Sequence, residues 1–233
     1  MQVTPQLLGF FPLLRLLPPD ALADLVQHAS VEKYARRAVV LESGARQANV
    51  CFLFEGRLQG VDFTIDGREV GLYFVEPGDF CGELGLFDYG PQPEFVIVLS
   101  PAVVVSLPVE ALRALMTTSP AMTTSLGERL ASRLRQMTYQ RSLLGMPNIA
   151  QRVCCQLWQL IAPGDRERDS GAVIRNPPTH MEIATMLNLS RETVTRVFQQ
   201  LQTREIVKRD GSTRLLIPDP GALKALAAGE DDL

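Results

Sequence analysis

The stretch from Ser119-Pro120 to Leu144 constrains this chain more than any other, because no proline or turn cluster interrupts it. Serine is a favoured N-cap and proline a favoured first helical residue, so one long helix is predicted over 120–144. Gly145 is expected in the left-handed position that closes a helix, with Pro147 just beyond. Leu130, Leu134, Met137, Arg141 and Leu144 follow one another at spacings of 4, 3, 4 and 3. That is the seam of a coiled coil with one charged member. A stripe so narrow favours pairing with a second helix, the alternative being a helix packed on its own domain.

The two sides of this helix differ. Residues 30–110 hold short apolar runs (50–54, 71–75, 95–99) bounded by Gly, Asp and Pro, with turn signals at Glu55-Gly56, Asp66-Gly67 and Pro77-Gly78-Asp79. Asp66-Gly67 lies between Val61, Phe63, Ile65 and Val70, Leu72, which is a hairpin signal. Many short strands at close spacing predict a barrel or sandwich. After the helix, Met146-Pro147-Asn148 predicts a hinge, and Asn148 can cap a helix from 149 to about 161. Its apolar face is Val153, Cys154, Leu157, Leu160 and Ile161. Residues 163–178 form a polar loop that can include a short strand at 172–174.

Composition bounds the class. The 233 residues are 46% hydrophobic and 21% charged, too apolar for intrinsic disorder over most of the length. They suffice for one large or two small domains. No run approaches about 18 apolar residues, so no membrane span is expected. The start, residues 1–11, lacks the pattern of a signal peptide. Four cysteines, Cys51, Cys81, Cys154 and Cys155, show no Cys-x-x-Cys spacing. Reduced thiols and a cytoplasmic location follow as expectations. The net charge of -3 argues against coating nucleic acid by charge alone. Residues 170–216, however, hold 7 basic and 4 acidic residues.

That basic segment contains the most specific pattern. Thr179 and Glu182 form a capping box that opens a helix. Ile183, Ala184 and Leu187 give it an inner face, and Asn188 can take the left-handed turn position. Ser190 caps a second helix. Val194, Val197, Phe198 and Leu201 face inward, which leaves Arg191, Glu192, Thr195 and Arg196 on the outer face near the N-terminus. This is a helix-turn-helix, whose second helix enters the major groove with its N-terminal residues on base edges. Residues 206–209, Asp210-Gly211 and 214–217 then predict a hairpin, a wing whose Lys208, Arg209 and Arg214 can reach phosphates. A second pattern, residues 77–87, has glycines at 78, 82 and 85 that allow sharp turns with exposed N–H groups. Such a loop can cradle a phosphate, while Glu83 can accept from ribose hydroxyls.

Together these residues resemble the cyclic-AMP receptor protein (Crp/Fnr) superfamily of bacterial transcription regulators. The resemblance runs from about Phe10 to Ile217. It includes Gly-Asp-Phe-Cys-Gly-Glu-Leu-Gly-Leu-Phe at 78–87 and Ser-Arg-Glu-Thr-Val-Thr-Arg at 190–196. It implies an α+β chain with a cyclic-nucleotide-binding β-roll (1–118), a dimerisation helix and hinge (119–146) and a winged helix-turn-helix (147–233). It implies a homodimer on double-stranded DNA at an inverted repeat of T-G-T-G-A-like half-sites, and a contact with RNA polymerase. Ser190, Arg191, Glu192, Thr195 and Arg196 would bind DNA, with Arg191 and Arg196 on guanine and Glu192 on cytosine, and Lys208, Arg209 and Arg214 on the backbone. Leu130, Leu134, Met137, Arg141 and Leu144 would pair two subunits.

Departures from the family bear on the effector. Gly82, Glu83, Leu84, Glu94, Met137 and Thr138 fall at ligand-shell positions. Cyclic-AMP-binding members carry an arginine and a small hydroxyl residue after the glycine loop, which hold the cyclic phosphate. Counting on without gaps, those positions are Pro93 and Glu94. Proline supplies neither charge nor N–H, and a carboxylate repels phosphate. Of the adenine-contacting hydroxyl pair, at 137 and 138, only Thr138 keeps a hydroxyl. Cyclic AMP is therefore disfavoured. Either the protein needs no ligand, with side chains such as Met137 filling the shell, or it takes cyclic di-GMP. In the second case Glu94 would accept from guanine N1–H and N2–H₂, and Arg133, Arg135 and Arg141 could face phosphates. No cysteine precedes Cys51 for an iron–sulfur cluster, and His28 is a poor haem ligand on an early helix. Core packing is expected for Cys154 and Cys155. No Ser-His-Asp set, P-loop or metal-spacing cluster suggests an enzyme. The alternative function is a nucleotide-binding module that acts through protein contacts, which the outer-face arginines and basic wing disfavour.

Overall fold

A computed structural model describes residues 2–166, 171–211 and 213–233. The chain forms two compact units, Met1–Met137 and Thr138–Leu233. The division falls inside the long helix, Pro120–Leu144.

The first unit opens with helices α1 (Pro5–Leu8) and α2 (Pro19–His28), each starting on proline. Six strands follow: β1 (Ser30–Tyr34), β2 (Val39–Leu41), β3 (Asn49–Phe63), β4 (Glu69–Val75), β5 (Phe80–Cys81) and β6 (Phe95–Pro108). They form one antiparallel sheet of order β1-β6-β3-β4, with β2 on β6 and β5 on β3. The runs expected at 50–54 and 95–99 are parts of two much longer strands. β3 and β6 pair from Asn49↔Pro108 to Val61↔Phe95, with register shifts between Leu53 and Leu58. Such bulges bend and twist a strand, which lets two strands serve both ends of the sheet. Gly56 sits in that bend at φ 94°, and a Cβ there would lie 2.4 Å from the Pro101 carbonyl oxygen. The Asp66-Gly67 hairpin forms as expected between β3 and β4.

Val50 to Leu53 are buried without alternation because both sheet faces are covered. Phe52 and Leu107 pack with Phe11, Leu14, Met122 and Leu126. Leu53, Leu58, Tyr73, Val75, Val98 and Val104 form a second cluster. Helices α3 (Val109–Thr118) and α4 (Pro120–Leu144) follow β6. Ser119 Oγ accepts from the Met122 N–H at 3.4 Å, as a cap should. Gly145 does not take the predicted left-handed position. Its N–H donates to the Ser142 carbonyl at 3.2 Å and that of Met146 to Leu143 at 3.0 Å, so a tightened last turn closes the helix.

The second unit contains the end of α4, then α5 (Ile149–Leu160), β7 (Ala172–Arg175), α6 (His180–Leu187), α7 (Arg191–Thr203), β8 (Lys208–Asp210), β9 (Arg214–Ile217) and α8 (Pro220–Ala228). The expected polar loop at 163–178 lies partly outside the described residues. Asn148 caps α5 by accepting from the Gln151 N–H at 3.0 Å. β7 joins the wing hairpin in an antiparallel sheet of order β7-β9-β8. Cys154 and Cys155 are buried and reduced, packed with Val153, Leu157, Phe198 and Leu223. Helix α8 was not foreseen, although Asp219 before Pro220 is a cap signal, and Asp219 accepts from the Ala222 N–H at 3.0 Å. Among the described residues no helix is long and apolar enough to cross a membrane.

Candidate functional site

Each unit carries one polar constellation. In the first, β5 is followed by Gly82, which is left-handed at φ 83°. A Cβ on Gly82 would lie 3.1 Å from both the Asn49 carbonyl oxygen and Leu41. This turn starts a 3₁₀ segment, Glu83–Leu86, that points Glu83 inward. Arg113 holds the segment from outside, donating to the carbonyls of Gly85 at 2.6 Å, Asp88 at 3.0 Å and Leu86 at 3.1 Å. Of the three expected turn glycines, Gly78 and Gly82 have positive φ and Gly85 does not.

Glu83 is 1% exposed and Arg133, from α4, is 8% exposed. Arg133 Nη1 donates to Glu83 Oε1 at 2.6 Å and Nη2 to the Phe80 carbonyl at 3.2 Å. The guanidinium carbon lies 3.9 Å from the Tyr73 ring centroid. The Tyr73 hydroxyl donates to Glu94 Oε1, which also accepts from Gln92 Nε2 at 2.9 Å. One turn earlier on α4, Arg129 pairs with Asp79. Burial raises the Glu83 pKa, with the Arg133 charge opposing the shift. Burial likewise holds the Tyr73 phenol protonated, well above the ordinary tyrosine value. Among the described residues the acceptor Glu83 Oε2 and the donors Arg133 Nε and Arg129 Nε are buried with no hydrogen-bond partner, as is Gln59 Nε2 on β3.

This arrangement corrects two expectations and refines a third. Arg133 turns inward to a carboxylate rather than outward to a phosphate. Met137 is 45% exposed and does not fill the shell in this chain. Glu94 is committed to Tyr73 and Gln92. Gly82, Glu83 and Glu94 therefore belong to one cluster, whereas Leu84, Met137 and Thr138 are exposed. Sequence reasoning missed Tyr73 and Gln92, because nothing local marks a contact made through the fold. Along the seam of α4, Leu134 is 67% and Leu144 38% exposed, Arg141 is exposed and Leu130 half-buried.

In the second unit, Thr179 and Glu182 form the predicted reciprocal cap, at 3.2 Å and 2.8 Å. Asn188 is left-handed at φ 51°, ψ 49°, and Ser190 accepts from the Thr193 N–H at 3.1 Å. Val194, Val197, Phe198 and Leu201 are buried as expected. Ser190, Arg191, Glu192 and Arg196 are exposed and Thr195 is half-buried. Lys208 and Arg214 are exposed on the wing and Arg209 is half-buried. Arg214 pairs with Asp210 across the turn at 3.2 Å. His180, at the start of α6, was not singled out from the sequence, yet its Nδ1 lies 2.9 Å from Thr195 Oγ1. Among the described residues no group of three His, Cys, Asp or Glu could hold a metal ion.

Comparison with known proteins identifies both halves. Residues 31–119 match the model of the cyclic nucleotide-binding domain and residues 151–226 that of the Crp-like helix-turn-helix domain. The chain is 27% identical over 190 residues to the cAMP-activated global transcriptional regulator CRP of Pasteurella multocida, covering 81% of this chain and 90% of that one. It is 27% identical over 198 residues to the CRP-like cAMP-activated global transcriptional regulator of Mycobacterium tuberculosis, covering 85% and 88%. In fold it is similar to FixK2 from Bradyrhizobium japonicum, with TM-score 0.71 at 21% identity over 85% of this chain and 96% of that one. It is also similar to the c-di-GMP responsive global regulator CLP of Xanthomonas campestris, with TM-score 0.65 at 23% identity over 87% and 100%. With a cyclic nucleotide-binding domain before a long helix and a DNA-binding helix-turn-helix after it, the chain belongs to the Crp/Fnr family of transcription regulators.

Proposed function

We propose that the chain acts in the cytoplasm as a homodimer that binds an inverted repeat in double-stranded DNA and is controlled through its first unit. The observation that carries this reading is the division of α7 into a buried face and an exposed N-terminal face bearing Arg191, Glu192 and Arg196. Arginine reads the O6 and N7 edge of guanine, and a carboxylate accepts from cytosine N4. Lys208, Arg209 and Arg214 supply phosphate contacts that orient the helix. The open seam of Leu134, Met137 and Leu144 on α4 supports pairing of two copies in parallel. On DNA the dimer would then be placed to contact RNA polymerase.

For the effector, cyclic di-GMP ranks ahead of cyclic AMP. Arg133 is already spent on Glu83, and Pro93 and Glu94 give the cyclic phosphate no donor. Glu83 Oε2, Arg133 Nε and Gln59 Nε2 lack partners, and guanine offers both the donors and the acceptors to meet them. CLP, similar in fold, is described as c-di-GMP responsive. The second reading is DNA binding without ligand, which the internal Arg133–Glu83 pair and the Tyr73–Glu94 bond favour. Fluorescence anisotropy on a duplex with paired T-G-T-G-A half-sites tests DNA binding, with a scrambled duplex as control. Isothermal titration with each nucleotide separates the effectors. A lost charge-assisted hydrogen bond costs about 1.5–3 kcal/mol, so cyclic AMP is expected to give no micromolar isotherm. Micromolar binding of cyclic AMP would overturn the effector reading and leave the DNA reading standing.

A further inference from the structure

Helix α6 opens on His180, and its ring reaches α7. Nδ1 lies 2.9 Å from Thr195 Oγ1. The ring also stacks on Phe198, centroid to centroid 4.4 Å with an interplanar angle of 38°. Phe198 is buried, so the stack restricts the imidazole plane and keeps Nδ1 on Thr195. Thr195 sits one turn along α7 from Arg191 and beside Arg196. A threonine hydroxyl has one proton to give and two lone pairs to offer. When Nδ1 accepts, the hydroxyl proton is spent on His180, and only lone pairs face the groove. Those suit the amino groups of adenine or cytosine. When Nδ1 carries a proton, the hydroxyl accepts from it and turns its own proton outward. That suits guanine O6 and N7 or thymine O4.

We propose that His180 is a positioning residue for base recognition, which sets whether Thr195 presents a hydrogen-bond donor or an acceptor to the major groove. This rests on α7 being the recognition helix. The protonated ring can only donate from Nδ1, which frees the Thr195 proton to face the groove, so recognition is coupled to pH. Burial lowers the His180 pKa, and Arg209 on β8 and Arg191 on α7 lower it further. Phosphates of bound DNA act in the opposite sense. As pH falls through the imidazole range, between about pH 8 and pH 5, preference at the base pair facing Thr195 shifts toward bases that present acceptors.

The test uses the full chain and duplexes in which that base pair is varied through all four possibilities. Thr195→Val locates the pair, and anisotropy is recorded between about pH 5 and 8. One hydrogen bond corresponds to a discrimination of about fivefold. His180→Phe keeps a ring on Phe198 and removes Nδ1. It is expected to lose that discrimination and its pH dependence, with the thermal midpoint and nonspecific affinity unchanged. His180→Asn, whose carboxamide can stand where Nδ1 stood, is expected to restore discrimination without pH dependence. If Thr195→Val and Arg191→Ala alter base preference but His180→Phe matches the wild type at every pH, the proposal is overturned and the recognition-helix reading stands. If none of the three alters base preference, that reading fails and takes the proposal with it.

Discussion

Glu83 and Arg133 exclude water from each other's charge, so neither can be removed alone at low cost. Breaking a buried ion pair from one side costs about 3–5 kcal/mol, because the remaining charge loses its partner. Arg133→Met is expected to destabilise the protein by roughly that amount in urea melts, and Arg133→Met with Glu83→Gln by clearly less. Burial raises the Glu83 pKa above its ordinary value of 4.5, and Arg133 restrains the rise. A carboxyl raised on folding favours the folded state at low pH and loses that contribution as pH rises through its folded pKa. The deficit of Arg133→Met is therefore expected to be largest near neutrality and to shrink as pH falls toward 4.5. At the DNA face, Arg191→Ala is expected to relax preference at one guanine by about 1–3 kcal/mol while leaving the other positions. Uniform weakening on all sequences would make Arg191 a phosphate contact instead. The exposed and buried faces of α7 were legible because caps and helical period act over a few neighbours. Arg133 and Tyr73 were not, because Glu83 and Glu94 lie far from them in sequence and only the rolled sheet and the returning helix bring them together.

Among the elements, α4 was predicted to the residue, since Ser119-Pro120 and the last-turn signals bound an uninterrupted stretch. Only its closure differed, where local hydrogen bonds from Gly145 and Met146 replaced a left-handed glycine. The helix carries a second stripe that the first concealed. Met122, Leu126, Arg129, Arg133, Gln140 and Leu143 follow the same heptad spacing one residue earlier, on another face, and all but half-buried Arg129 are buried. Its arginines and glutamine look like solvated residues in a hydropathy reading, yet Arg133 and Gln140 are held inside, Gln140 donating to the Met186 carbonyl at 2.6 Å. The apolar seam, by contrast, is exposed. Leu134→Asp is expected to convert the proposed dimer to monomer in sedimentation velocity without lowering the thermal midpoint of the isolated chain appreciably, since Leu134 is 67% exposed. A Leu134→Asp protein that still sediments as a dimer would place the interface elsewhere. Strands β3 and β6 came out longer than the sequence suggested, because bulges let one strand cross several turn signals.

At the scale of the whole molecule, the two-part organisation was visible as a change of pattern on either side of α4, and the family comparison supports both parts. The mild acidity of the chain does not oppose DNA binding, because residues 170–216, with 7 basic against 4 acidic residues, are locally basic. Binding energy from one half-site is small beyond the nonspecific term, so specificity in the proposed dimer depends on two copies acting together. The central claim is that a symmetric dimer reads DNA through α7. Selection of duplexes from a random pool by the purified protein, without nucleotide and with cyclic AMP or cyclic di-GMP, tests it most directly. An enriched inverted repeat of guanine-containing half-sites, with centres one helical turn apart, is the predicted result. Enrichment of no repeat under any of the three conditions would contradict it.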